Sequence, residues 1–333
     1  MPLTLYVDSA RWRKHLSATW SEALVPVAKG NGYGFGRDLL LTEAGFLGAR
    51  TVAVGTYDEV PAVPSSDTVV LSPWRPFLDV PRSDRVIHTI SRLADLEAVP
   101  PGTRVLVEVQ TSMRRHGIEV GELVRLAAGS LLNRVRFEGW SIHLPMGPGG
   151  ASANVKEAAE LAAAARRVRP GPAWVSHVPA NSLSAIGDDV RLRIGTQLWL
   201  GDRGALDVRA TVLDVHQVHR GERVGYRQRR CPADGHVLVV AGGTSHGIGL
   251  EAPTAAANVR QRAVSLAKGG LEAAGLALSP YTVEGKQRWF AEPPHMQASM
   301  LFLPSSVTPP EIGDELGVEV RFTTTSFDRV VLR

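Results

Sequence analysis

The chain has 333 residues, 44% of them hydrophobic and 21% charged, with a formal net charge of +4, a profile that excludes disordered and fibrous classes and leaves room for two domains. No apolar run approaches the roughly 18 residues of a membrane span, and the opening MPLTLYVDSARWRKH lacks the apolar centre of a secretory signal. With Cys231 the lone cysteine, an internal disulfide is excluded and a reducing, cytoplasmic setting is expected.

The opening strand PLTLYVD leads to a helix capped by Asp8 or Ser9. Eight β-rich runs then recur at βα spacing: LVPVAKG (24–30), TVAVG (51–55), TVVLS (68–72), RVIHTI (85–90), RVLVEV (104–109), VRFEGWSIHL (135–144), AWVSHV (173–178) and VRLRIG (190–195). Most are continuously apolar, as strands buried on both faces require. Helical stretches separate several of them, clearest at Gly121–Ala128 and Val155–Val168, whereas YDEVPAVP, with two prolines, allows a turn only. This α/β pattern predicts a (β/α)8, TIM-like barrel over residues 8–203.

Beyond residue 203 the period changes to alternation. VRATVLDVHQVH, HVLVVAG, QRWFAE, SMLFLP and GVEVRFTTT are separated by Gly, Pro and Asp turns. They predict a mostly antiparallel β domain over 204–333, with strand 1–7 joining it and one helix at Ala255–Ala274. The basic run 227–230 has no aromatic interleaving and reads as a solvated turn, so nucleic acid is not implied. Cys231 and His246 read as loop and polar-surface residues. No metal site is expected.

In such a barrel, chemistry gathers where strands end. Lys29 closes the first strand, Arg115 follows the fifth and His143 ends the sixth. Asn181 and Ser182 follow the seventh; Arg193, Gly195 and Thr196 end the eighth. One amine, two guanidiniums, an imidazole and a hydroxyl suit an anionic, carbonyl-bearing cofactor.

The local motifs sharpen this. VPVAKGNGYGFG (25–36) resembles the A-V-V-K-A-N-A-Y-G-H-G segment of alanine racemases, matching at Lys29, Asn31, Tyr33, Gly34 and Gly36. TSMRRHG (111–117), WSIHLPM, HVPANS and RIGTQLWLG resemble further segments of the same family in the same order. RGERVGYRQ (220–228) resembles its G-E-x-V-S-Y-G.

The resemblance implies a fold-type III enzyme with pyridoxal 5'-phosphate (PLP) held by Lys29 as a Schiff base. It implies phosphate contacts from Tyr33, Ser182 and the amides of Gly195 and Thr196, with His143 packed on the cofactor ring. Arg193 would face the ring nitrogen, and Arg115 and Met296 the substrate. An arginine there keeps its own proton and leaves the ring nitrogen unprotonated, which favours racemisation over transamination. Tyr226 becomes the second catalytic base beside Lys29, lent across a head-to-tail homodimer, with His143 and Arg193 stabilising its anion. Glu108 stands where the family often has a lysine, and either holds Arg115 or pairs elsewhere.

Some segments depart from the family. AGGTSHGIGLEAP (241–253) replaces G-Y-A-D-G and reads as a plain loop. His295, Met296, Gln297 and Ala298 replace C-M-D-Q, and Phe327 replaces a phosphate-binding tyrosine. These changes bear on substrate choice more than on the cofactor. An amino-acid racemase is the leading expectation, with alanine the default substrate. The alternatives are a PLP-binding homologue without turnover and a fold-type III amino-acid decarboxylase. The latter's H-x-G-S-G motif and cysteine–acid pair are not found.

Overall fold

The computed structural model describes residues 2–81, 83–127, 129–146, 150–250 and 277–333. The helix expected at Ala255–Ala274 lies outside these described residues. Strand β1 (Leu3–Val7) opens the chain, followed by helix α1 (Ser9–Thr19). Asp8 caps that helix: its carboxylate accepts from the Arg11 amide at 3.0 Å, which satisfies one of the donors a helix start leaves free.

Seven elements of the barrel come next: β2 (Leu24–Pro26), α2 (Arg37–Phe46), β3 (Thr51–Val54), β4 (Asp67–Pro73), β5 (Val86–Ile90), α3 (Leu93–Ala98) and β6 (Arg104–Val109). The remainder are α4 (Leu123–Ala127), β7 (Arg136–Ile142), α5 (Gly150–Val168), β8 (Ala173–Val175), β9 (Val190–Ile194) and α6 (Thr196–Leu200). The eight strands β2 to β9 form one parallel sheet in the order β2-β9-β8-β7-β6-β5-β4-β3. A parallel bridge from Val27 to Ala53 joins its two ends and closes the barrel.

Side-chain alternation decides what each strand presents. Val25, Val27, Ala53, Val69, Ile87, Leu106 and Trp174 cluster inside the barrel, while Val54, Val70, Val86, Val105 and Val107 join the layer packed against the helices. Because successive residues face opposite ways, residues two or four beyond an interior position also point inward. Lys29 follows Val27 by two, Glu108 follows Leu106 by two and Ser176 follows Trp174 by two. On the outside, α5 buries Ala158, Ala162 and Ala165, spaced four and three apart on one helical face. Small side chains there let the helix lie close to the strands. YDEVPAVP yields only the short turn Tyr57–Glu59.

The second sheet contains β1 with β10 (Leu206–Val218), β13 (Gly235–Ala241), β14 (Leu278–Val283), β15 (Lys286–Phe290), β16 (Ala298–Pro304), β17 (Glu315–Val318) and β18 (Arg329–Leu332). Strands β10, β13, β16, β15, β14 and β17 close on themselves through the β13–β10 pairing, and all their pairings are antiparallel. β1 joins this sheet on β10, with β18 parallel beside it. A separate hairpin, β11 (Arg223–Val224) and β12 (Arg229–Arg230), makes a two-stranded sheet of its own. The chain divides into two compact units. One comprises Lys14–Gly32 and Gly36–Gly201; the other comprises Met1–Arg13, Tyr33–Phe35 and Asp202–Arg333.

One local expectation is refined and another corrected. Cys231 lies in a loop, as expected, but that loop is packed: the side chain is buried and clusters with Val218 and Val237. Burial and the neighbouring Glu222 push its thiol above the ordinary range, so it is a packing residue and not a reactive one. His246 is buried too: its Nε2 pairs with Asp328 at 3.1 Å and its Nδ1 accepts from the Gly243 amide at 3.2 Å.

Candidate active site

The C-terminal mouth of the parallel barrel gathers Lys29, Arg115, His143, His177 and Arg193, with Glu108 beneath them. Lys29 follows β2. The backbone beside it is fixed by Glu59, whose carboxylate accepts from the Gly30 amide at 2.9 Å and the Gly55 amide at 2.6 Å. One side chain thus ties the ends of β2 and β3. Arg37 adds a bond to the Gly30 carbonyl at 3.2 Å. Lys29 is exposed to solvent, yet the rim displaces enough water to lower its pKa. Desolvation contributes most; the positive charges of Arg115 and Arg193 add to it, and Glu59 opposes it.

Arg193 is 7% exposed. Its terminal nitrogens donate to the Ser141 hydroxyl at 3.1 Å and the Ile142 carbonyl at 3.2 Å. Its Nε is buried with no hydrogen-bond partner among the described residues. Burial lowers its pKa to about 10, with Glu108 opposing that shift, so the guanidinium stays charged near neutrality. Glu108 is 5% exposed and its Oε2 is likewise buried without a described partner. Desolvation raises its pKa against the pull of Arg193, Arg115 and Arg75. No ion pair among the described residues joins Glu108 to Arg115, so the direct hold considered above is not made; Arg115 is one of the nearby positive charges that act on Glu108.

His143 sits at the end of β7, with its Nδ1 bonded to the Ser176 hydroxyl at 2.7 Å. Burial, then the nearby cations, hold its pKa down to about 3, which leaves the imidazole neutral. The His177 ring packs edge-on to it at 5.4 Å, and its pKa is lowered for the same reasons. His177 adopts a left-handed backbone, φ 57°, a conformation that costs energy in a residue of this kind. Asn154 on α5 holds that turn by donating to the carbonyls of His177 (2.8 Å) and Pro145 (2.9 Å).

The loop of Arg115 is tethered similarly. Thr111 donates to the His143 carbonyl at 2.7 Å, and Glu157 on α5 accepts from the Ser112 amide and hydroxyl at 2.6 and 2.7 Å. Ser182 lies in the short helical turn Ala180–Ala185, beside Asn181. Gly195 caps α6, and Thr196 is its first residue.

Tyr33, Tyr226 and Met296 belong to the other unit. Tyr33 is buried and carries a left-handed φ of 54°. Gly34 follows at φ 90°, and a Cβ there would come within 2.7 Å of the Phe327 ring; only glycine admits that aromatic against the loop. Tyr226 is 85% exposed, and its ring packs at 4.6 Å from that of His295. Met296 is 72% exposed. Its carbonyl accepts from Ser245, while its amide donates to no other described residue.

Sequence reasoning missed Glu59, His177 and Arg75. His177 stood inside the quoted HVPANS, and its place at a strand end was the available signal. Glu59 and Arg75 carried none.

The fold defines a class of barrel enzyme, a parallel eight-stranded barrel with an appended antiparallel β domain, here with lysine, arginine and histidine at the barrel mouth. The family pattern described as alanine racemase, N-terminal domain, matches residues 9–199. The chain belongs to the alanine racemase family. An alanine racemase from a Nitratiruptor species is 28% identical over 123 residues, which is 37% of this chain and 36% of that racemase; the match therefore spans about a third of that relative.

Among solved structures, an alanine racemase from Bartonella henselae with covalently bound pyridoxal phosphate superposes with a TM-score of 0.69 at 16% identity, covering 100% of both chains. One from Streptomyces coelicolor A3(2) does so at 0.67 and 20% identity, covering 96% of this chain and 89% of that one. At these identities the likeness establishes the fold.

Proposed function

We propose that this protein is a PLP-dependent amino-acid racemase that uses Lys29 and Tyr226 as its two bases. The observation that carries the reading is the Lys29 amine at a strand end of the barrel mouth, beside Arg115 and Arg193, with its proton affinity lowered by partial desolvation and by those two positive charges. A larger fraction of it is unprotonated near neutrality than of a free lysine, which is what a nucleophilic or proton-accepting amine requires.

The donor set fits the cofactor. Lys29, Arg115 and Arg193 outnumber Glu108, so the mouth favours an anionic group. The Arg193 Nε–H, buried without a described partner, needs an acceptor, which an unprotonated pyridine nitrogen would supply. Neutral His143 offers an aromatic face. Ser182, Gly195 and Thr196 would serve the phosphate; the family resemblance adds Tyr33, and Phe327 would contribute no hydroxyl. When bound, the cofactor supplies an electron sink that makes the Cα proton of an attached amino acid removable.

The protein's own residues then handle that proton. Lys29 Nζ takes or returns it on one face, held in place by the Glu59 tether. Tyr226 Oη serves the other face; its high exposure suits a phenol lent to the neighbouring subunit of a head-to-tail homodimer, where His143 and Arg193 would stabilise its anion. Arg115 and the amide of Met296 are the groups for the substrate carboxylate. Alanine is the default substrate, with a D-amino acid among the products.

Exchange of the α-proton in deuterated water, measured over a panel of amino acids, tests this. The PLP-loaded protein is expected to exchange and racemise at least one small amino acid, and Lys29→Ala to lower that rate about a thousandfold or more. Cofactor binding without exchange would replace this reading with a silent homologue; release of carbon dioxide would replace it with a decarboxylase.

A further inference from the structure

Tyr226 stands on the connection between β11 and β12, a hairpin with only two paired residues on each strand. A two-stranded ribbon this short does not order itself, and a phenol that is 85% exposed has little packing of its own. Within the turn, Gln228 bonds the Gly225 carbonyl through its amide at 3.2 Å and its side chain at 2.9 Å, but neither bond engages the amides of Tyr226 and Arg227. The side chain in position is Glu292, just beyond β15 and only 1% exposed. Its Oε1 accepts from the Tyr226 amide at 3.2 Å and its Oε2 from the Arg227 amide at 3.3 Å. The same Oε1 meets His295 Nε2 at 2.5 Å, and the His295 ring flanks that of Tyr226.

A buried carboxylate is costly unless its oxygens are bonded, and three N–H groups from the turn and from His295 supply those bonds. Gly225 completes the arrangement. It sits at φ 72°, and a Cβ built on it would fall 2.1 Å from the Glu292 carboxyl carbon. The carboxylate occupies the space that a side chain at 225 would need. Glu292 lies outside the family motif that singled out Tyr226.

We propose that Glu292 is the positioning residue of Tyr226: it fixes the backbone of the turn directly and orients, through His295, the ring against which the phenol rests. The proposal rests on the reading of Tyr226 as a base. Glu292→Gln keeps the shape but turns a side-chain NH2 toward one of the two backbone N–H groups, which breaks that bond. Gly225→Ala attacks the same contact from the other side.

Rates of α-proton removal from the L and D forms, measured separately in single turnovers, give the test, with Tyr226→Phe as comparator. Both variants are expected to lose about tenfold to a hundredfold on the one enantiomer that Tyr226→Phe impairs, with the other enantiomer and the cofactor spectrum unchanged. Equal loss on both, or no loss, overturns the positioning role. If Tyr226→Phe is itself silent, the two-base reading fails instead.

Amide hydrogen exchange of the 225–228 turn in the cofactor-free wild type is independent of whether the variants fold. Slow exchange at Tyr226 and Arg227 is expected despite their exposure, and exchange at the unprotected rate would overturn the proposal.

Discussion

Glu108 is the residue at which burial and charge oppose each other most openly. Its side chain points into the barrel, beneath two arginines that would favour its ionised form, yet desolvation wins and its pKa is raised. A raised folded-state pKa means that the fold favours the protonated acid. The associated stability is present below the ordinary carboxylate pKa and is lost as pH rises through the raised folded value. Glu108→Gln, which cannot ionise, is therefore expected to melt about 2 °C higher than wild type in cofactor-free protein near neutral pH. The gain should shrink as pH falls through the carboxylate range, where the wild-type acid takes up its proton in both states. A variant less stable at neutral pH would show instead that attraction to Arg193 outweighs the cost of burial.

His143 obeys the opposite sign. With a pKa held to about 3, its contribution is full above its ordinary value near 6.5 and is lost as pH falls toward about 3.

At the scale of elements, the strand ends of the barrel are set by carboxylates and amides reaching across loops. Glu59 is the clearest case, because it spans β2 and β3 with one carboxylate beside Lys29. Glu59→Gln retains one acceptor and opposes the other amide with a donor. The variant is expected to bind PLP about tenfold more weakly, measured by titration of the cofactor-free protein; unchanged affinity would remove Glu59 from the account.

The eight barrel strands were legible in the sequence because strands covered on both faces are continuously apolar. The lengths were less so: β2 and β8 hold only three residues each in the ladder, since the runs continue into loops that carry the site. Lys29, Arg115, His143 and Arg193 were readable from their positions at run ends and from the family motifs. Glu59 and Glu292 were not, because each acts on backbone amides of distant segments, and amides leave no trace in composition or spacing. His246 was misread as surface, and the burial of Cys231 was not foreseen, for a related reason: their polar neighbours in sequence are not their neighbours in space.

Over the whole molecule, the two units present different chemical groups. The parallel barrel concentrates positive charge and neutral imidazoles at one mouth, and the antiparallel unit presents an exposed phenol on a turn braced by a buried carboxylate. The first arrangement suits holding an anionic, carbonyl-bearing cofactor; the second carries the phenol proposed above as the second base. No helix among the described residues is long and apolar enough to cross a membrane.

The central claim is that one particular amine bears the cofactor. The chain has five lysines, Lys14, Lys29, Lys156, Lys268 and Lys286, so the claim can be tested by borohydride reduction of the PLP-loaded protein followed by peptide mass mapping. The pyridoxyl group is expected on the peptide containing Lys29, with the other four lysines unmodified. Labelling of a different lysine, or of none, would contradict the account.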